Sequence, residues 1–180
     1  MNSVRIIGGA WRRRVLRFPD SEALRPTPDR VRETLFNWLG QDLDGLTCLD
    51  LFAGSGALGF EAASRGAART VLVEQAPRVL AALRENVKML GAEGTVEIVR
   101  ADALQYLAST ASKFDIVFLD PPYRQGWMER LTQSLLAVVR EDGAIYVEAE
   151  HEIASLGDWR AVRHGRAGEV HFHLLRRDME

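Results

Sequence analysis

The chain has 180 residues, 47% of them hydrophobic and 27% charged, with 23 basic against 25 acidic side chains and a formal net charge of -2. At this length one core buries roughly 70% of the surface that the unfolded chain exposes, so folding needs neither disulfides nor a structural metal. No uninterrupted apolar run approaches the ~18 residues of a conventional membrane span, and the N-terminus has no apolar leader, so a cytoplasmic protein is expected, with no membrane partner.

Residues 1–40 carry Arg5, Arg12, Arg13, Arg14, Arg17, Arg25, Arg30 and Arg32 against Asp20, Glu22, Asp29 and Glu33, a net of +4 that leaves -6 for the rest. Guanidinium groups suit bidentate phosphate contact and stacking on bases. Val4 to Ile7, Gly8-Gly9 and Trp11 to Phe18 predict a β-hairpin whose second arm carries Arg12, Arg13, Arg14 and Arg17. Thr27 before Pro28 has the form of an N-cap with proline at the first helical position. The helix that follows has an apolar stripe of Val31, Leu35 and Leu39, with Arg30, Glu33 and Asn37 on another side. Two units are therefore expected, a basic arm over 1–40 and a body over 41–180.

From residue 46 onward, strand patterns at 47–52, 70–74, 95–99, 114–119 and 143–149 alternate with helix patterns at 57–65, 76–90, 103–109 and 126–139. This predicts an α/β fold with a doubly wound, mostly parallel sheet. Trp159 to Val162 and Glu169 to Arg176 predict an antiparallel C-terminal hairpin around Gly165 and Gly168. Cys48, the single cysteine, lies in an apolar strand and reads as a small buried hydrophobe. His151, His164, His171 and His173 lack zinc-site spacing, so no metal is expected.

Residues 54–59 read Gly-Ser-Gly-Ala-Leu-Gly between a strand and a helix, and Glu74 ends the next strand. This is the nucleotide-binding glycine turn in its expected setting, with an acid placed to accept from ribose hydroxyls. Asp50 selects among ligands. A carboxylate beside this turn would repel a pyrophosphate, whereas the sulfonium and ammonium of S-adenosyl-L-methionine are cations. Asp102 with Ala103 follows the third strand, where the acid can accept from an adenine amino group, cap the next helix, or do both.

After the fourth strand comes Asp120-Pro121-Pro122-Tyr123. Two prolines stiffen the turn and leave carbonyls free as acceptors. The Asp120 carboxylate and Pro121 carbonyl can accept both hydrogens of an exocyclic amino group, aiming its lone pair at a methyl donor, while Tyr123 stacks on the base.

The order of these motifs resembles class I S-adenosylmethionine-dependent amino methyltransferases. More narrowly, Arg5-Ile-Ile-Gly-Gly9, Arg25-Pro-Thr-Pro-Asp-Arg-Val-Arg-Glu-Thr-Leu-Phe-Asn37 and Ser64-Arg-Gly-Ala67 are similar to the RsmD family of 16S rRNA guanine-N2 methyltransferases. The resemblance implies a Rossmann-like sheet with a reversed C-terminal strand. It implies S-adenosyl-L-methionine as cofactor, S-adenosyl-L-homocysteine as product, and guanine 966 of 16S rRNA, in the small ribosomal subunit or its assembly intermediate, as target. A monomer is expected. By the same resemblance Asp50, Phe52, Ala53, Gly54, Ser55, Gly56 and Gly59 hold the methionine part, Glu74 the ribose, and Asp102 and Ala103 the adenine, with Gln75 and Asp120 also among the cofactor contacts. Arg30 and Asn37 lie near the cofactor mouth, and Arg5, Arg12, Arg13, Arg14, Arg17 and Arg25 contact RNA. One departure is Arg13, where the family pattern leads us to expect glycine. Three alternatives stay open on the residues alone: adenine-N6 or cytosine-N4 methylation of DNA, an NAD-binding oxidoreductase, and a non-catalytic RNA-binding assembly factor.

Overall fold

A computed structural model describes residues 1–21 and 24–178. The chain begins with a short antiparallel pair, β1 (Asn2–Arg5) and β2 (Val15–Phe18), followed by α1 (Asp29–Leu39). The alternating region forms β3 (Thr47–Asp50), α2 (Ala57–Ser64), β4 (Arg69–Glu74), α3 (Pro77–Leu90), β5 (Val96–Arg100), α4 (Ala103–Ser109), β6 (Phe114–Leu119), α5 (Trp127–Leu136) and β7 (Val139–Ala149). It closes with β8 (Ser155–Leu156), β9 (Trp159–Ala167) and β10 (Val170–Arg177). The main sheet has the order β5-β4-β3-β6-β7-β10-β9-β8, parallel from β5 to β7 and antiparallel beyond. Strand order reverses between β3 and β6, so the ligand crevice of such a sheet lies outside their carboxyl ends.

Side-chain alternation along these strands builds two layers. Leu49, Leu51, Val117, Leu119, Ile145 and Val147 pack against Tyr106, Leu107, Leu131 and Leu135 of α4 and α5. Cys48, Ile116, Phe118 and Tyr146 point the other way, onto Val31, Leu35 and Phe36 of α1 and Leu58 and Ala62 of α2. Val4, Ile6, Leu16 and Phe18 of the N-terminal pair extend that layer over Phe60, Leu83 and Val87. Helix α2 is consequently buried along its whole length.

Several sequence expectations shift. Gly8-Gly9 lies in the connection between β1 and β2 as expected and is also a docking point: Ile7 and Gly8 donate their N–H groups to the Glu61 carboxylate, both at 2.9 Å. A Cβ on Gly9 would sit 1.9 Å from the Ser64 carbonyl oxygen. Arg12, Arg13 and Arg14 fall in the loop between the short strands, and only Arg17 lies on β2. Thr27 does not cap α1; Pro28 occupies that position, and the Thr27 hydroxyl turns inward to Glu148. Helix α5 stops at Leu136 because Val138 and Val139 enter the core, and β7 starts at Val139 through an exposed charged stretch that conceals its pattern. The C-terminal hairpin turns at Gly168-Glu169, while Gly165 lies within β9 beneath Phe172, whose ring leaves no room for a Cβ.

Candidate active site

Register along the sheet assembles the site. Asp50 pairs with Leu72 and Phe118, and Phe118 with Tyr146. Leu72, Phe118 and Tyr146 face the α1–α2 layer, and Glu74, Asp120 and Glu148 each follow one of them by two residues. Four carboxylates therefore share one face at the carboxyl ends of the adjacent strands β4, β3, β6 and β7.

Asp50 is buried, and its Oδ2 accepts the Gly59 N–H at 3.0 Å. Burial pushes this carboxyl up to about 8; the Gly59 bond opposes the rise, and the charges of Glu74 and Glu148 add to it. Gly56, at φ 80°, starts the turn into α2, and a Cβ there would meet the Phe60 ring at 2.6 Å. A Cβ on Gly59 would meet Leu72 at 2.6 Å, so this glycine sets how closely α2 approaches the sheet. Ser55 Oγ accepts the Ala57 N–H at 3.2 Å. Glu74 is wired into the same turn: Oε2 accepts the Gly54 N–H at 3.1 Å, and Oε1 accepts those of Gln75 and Ala76 at 3.0 and 3.2 Å. Phe52 and Ala53 complete the loop, Phe52 meeting Trp127 edge-on at 5.2 Å.

Asp102 caps α4. Its Oδ1 accepts the Gln105 N–H at 2.8 Å, and Gln105 Oε1 accepts the Asp102 N–H at 3.3 Å. Ala103 is the buried first residue of that helix.

Asp120 follows β6 directly. Pro121 is buried and Pro122 exposed, while Tyr123 is 43% exposed beside them. Burial, then the charge and hydrogen bond of Glu148 and the charge of Asp50, hold the Asp120 carboxyl well above the carboxylate range. The Tyr123 phenol is pushed up to about 12 by partial burial and by Asp120, Glu148 and Glu150, so it stays neutral. Sequence reasoning missed Glu148. This buried residue accepts hydroxyl hydrogen bonds on Oε1 from Thr27 and Tyr146, both at 2.7 Å. Its signal was available, because it is the one charge in the apolar run Ala144–Ala149.

Helix α1 begins at this site and leads away from it. Arg30 is exposed, within a turn of Thr27. Asn37, near the other end, hydrogen-bonds to Gln41, which in turn accepts from Arg65 after α2. Because α2 runs from the glycine loop to Arg65, Asn37 sits at the end away from that loop, and the structure does not bring it to the other cofactor candidates.

Arg5, Arg12, Arg13, Arg14, Arg17 and Arg25 are exposed. Arg5 and Arg17 share the outward face of the β1–β2 pair, and Arg14 Nη2 donates to the Met89 carbonyl at 3.0 Å. A groove of about 390 Å³ runs between that pair and the start of α1, lined by Ser3, Arg5, Val15, Pro26, Thr27 and Asp29. Arg32 differs from its neighbours: it is fully buried, donating to the Thr27 and Arg5 carbonyls at 3.1 and 2.9 Å and to Glu61 at 3.2 Å. Glu61 also takes Arg65 at 2.9 Å. Cys48 is buried and its thiol is pushed up to about 12, which leaves it inert. Among the described residues, no helix is long and apolar enough to cross a membrane.

The parallel sheet, the reversed β10 between β7 and β9, and the acid-lined glycine turn define the fold of class I methyltransferases. An RNA methyltransferase of Salinibacter ruber, solved with S-adenosyl-L-homocysteine, shares this fold at a TM-score of 0.68 and 20% identity, over 87% of this chain and 96% of its own. The family described as Conserved hypothetical protein 95 matches residues 4–176, and the chain belongs to it. The Ribosomal RNA small subunit methyltransferase D of Escherichia coli (strain K12) is 44% identical over 98% of this chain and 91% of its own length. The solved structure of the putative methyltransferase yhhF from Escherichia coli superposes at a TM-score of 0.89, with 42% identity, covering 99% of this chain and all of that one.

Proposed function

We propose that this protein methylates the exocyclic N2 of one guanine in small-subunit rRNA, guanine 966 by the family pattern, using S-adenosyl-L-methionine. The observation that carries the reading is the set of four acids on one sheet face around the glycine turn and Asp120-Pro-Pro-Tyr123. Burial and the neighbouring carboxylates raise the proton affinity of Asp50 and of Asp120, and a cationic ligand relieves that repulsion where a pyrophosphate would worsen it. The residues thus fit S-adenosylmethionine and disfavour NAD.

When bound, the cofactor supplies an electrophilic methyl group on a sulfonium. Asp50 and the 52–56 turn with Gly59 receive the methionine part, Glu74 and Gln75 the ribose, and Asp102 and Ala103 the adenine, the Asp102 cap fixing that corner. Asp120 and the Pro121 carbonyl accept the two hydrogens of the target amino group, while Pro122 stiffens the turn and Tyr123 offers its exposed ring to the base. The exposed arginines of 1–40 engage the phosphate backbone, which makes this segment an RNA-binding arm on a catalytic body over 41–180. Arg30 lies at the mouth between the two. With ribosomal subunits as substrate, the protein works in the cytoplasm.

The test is transfer of labelled methyl to small subunits isolated from cells lacking the modification, with mass mapping of the product nucleotide. Methylation of N2-guanine in 16S rRNA is expected. Transfer confined to duplex DNA would sink the proposal.

A further inference from the structure

Two of the four acids are neighbours. Leu119 of β6 pairs with Val147 of β7, which sets Asp120 beside Glu148 on one face, within reach of a carboxyl–carboxyl hydrogen bond. That bond requires a proton, since two carboxylates in contact cannot both ionise without severe repulsion. Glu148 Oε1 already accepts from the Thr27 and Tyr146 hydroxyls, which holds Glu148 in place and leaves Asp120 as the carrier of the proton. The groups facing the pair are Asp50 from β3, Tyr146 from β7, and Tyr123 of the tetrapeptide with Glu150 behind it. Every one of them is an acid, so the surroundings favour keeping the proton until a cation arrives.

We infer that Asp120 and Glu148 form a single-proton pair that discharges its proton when the cationic cofactor binds and takes up the proton lost by the methylated amino nitrogen. This rests on the methyltransferase reading above. In the transfer the N–C bond forms as the C–S bond breaks, the electron pair of the latter stays on sulfur, and the departing proton moves from nitrogen to the Asp120 carboxylate. The sulfonium charge disappears in the same step, so the pair regains its proton affinity as the nitrogen becomes acidic. The proton later leaves to solvent when the next cofactor binds. Asp120 is the catalytic residue; Glu148 is a positioning residue that acts through it.

The experiment is calorimetric titration of the full chain with S-adenosylmethionine and with S-adenosylhomocysteine, each in phosphate and in Tris, from pH 6 to 8. Both ligands carry the same α-amino group, so its ionisation and the response of Asp50 to it cancel in the comparison. The pair predicts about one more proton released with the sulfonium ligand than with the neutral thioether, and an affinity ratio that rises up to about tenfold per pH unit. Glu148→Gln should remove that difference. The wild-type comparison decides even if this variant does not fold. Equal proton release by the two ligands, or a difference that survives in Glu148→Gln, overturns the pair while leaving the methyltransferase reading intact. Failure to bind either ligand overturns both.

Discussion

Arg13 sits in the N-terminal loop at φ 72°, left-handed backbone that costs an L residue roughly 1–2 kcal/mol. Its side chain is exposed, and its N–H donates to the Ile6 carbonyl at 2.9 Å, so loop pairing imposes the conformation and the guanidinium does not. Arg13→Gly relieves that strain but gives the unfolded chain freedom worth about 0.4–1 kcal/mol. The difference is a gain of between about 0 and 1.6 kcal/mol, about 0.8 at its midpoint. At this chain length each kcal/mol moves Tm by about 2–4 °C, so a rise of about 2–3 °C is expected. Arg13→Ala keeps the Cβ and therefore the strain, so it should melt near the wild type. Both variants lose the guanidinium. Each should weaken binding of rRNA fragments and flatten the slope of log affinity against log salt by up to about 1 if Arg13 meets one phosphate. Thermal unfolding and filter binding across a salt series read the two effects separately. A glycine variant no more stable than the alanine variant refutes the strain argument, and an unchanged salt slope in both removes Arg13 from the RNA surface. Because glycine is the cheaper residue at this φ, an arginine here is explained only if its charge is used.

Three further outcomes follow from the site and its supports. Asp120→Ala should lower methyl transfer by about 100-fold or more, with S-adenosylmethionine affinity much less affected, measured by single-turnover transfer and calorimetry. Glu61→Ala removes one of the two carboxylates paired with the buried Arg32, leaving Asp29, removes the partner of Arg65, and leaves the Ile7 and Gly8 N–H groups without their acceptor. A loss of about 3–5 kcal/mol in urea unfolding is expected. Asp50 is raised from 3.8 to about 8, so between those values the folded chain holds a proton that the unfolded chain has released. Its contribution to stability is complete below pH 4 and is lost as pH rises through 8, at up to ~1.4 kcal/mol per unit. Urea unfolding from pH 5 to 8 should show ligand-free stability falling, with a shallower slope in saturating S-adenosylmethionine.

The placement of the glycine turn, Asp50, Glu74, Asp102 and Asp120 was legible because each belongs to a short segment at a strand end. The sheet was legible for the same reason, its strands being apolar runs separated by stripes of helical period. Glu148 was not, since its meaning depends on β6 lying beside β7 in one register, and no window of sequence contains both strands. Arg32 was hidden among eight arginines of one segment; what sets it apart is burial against Glu61, 29 positions away, together with Asp29 and the Thr27 and Arg5 carbonyls. Thr27 misled through a sound local rule, because Thr-Pro is a helix start in isolation and a buried carboxylate elsewhere in the chain offered its hydroxyl a better acceptor.

The charge division of the sequence acquires a physical basis in these contacts. Seven arginines of the first 40 residues are exposed, and one is a buried bolt. That bolt ties Arg5 and Thr27 to Glu61, and Thr27 in turn holds Glu148 beneath Asp120. A chain of direct bonds thus runs from the strand bearing Arg5 to Glu148, the neighbour of Asp120. Val4, Ile6, Leu16 and Phe18 also share their core with α2 and α3, so residues 1–40 pack as one with the body. If the arm engages RNA as proposed, a shift of the outer strand would strain either the Arg32–Glu61 pair or the Thr27–Glu148 bond. Of the two, the single hydroxyl bond is the weaker, at ~1.5–3 kcal/mol against several for a buried ion pair. Movement of the arm would therefore reach the active site through Thr27, and what it would change there is the acid on which Asp120 leans.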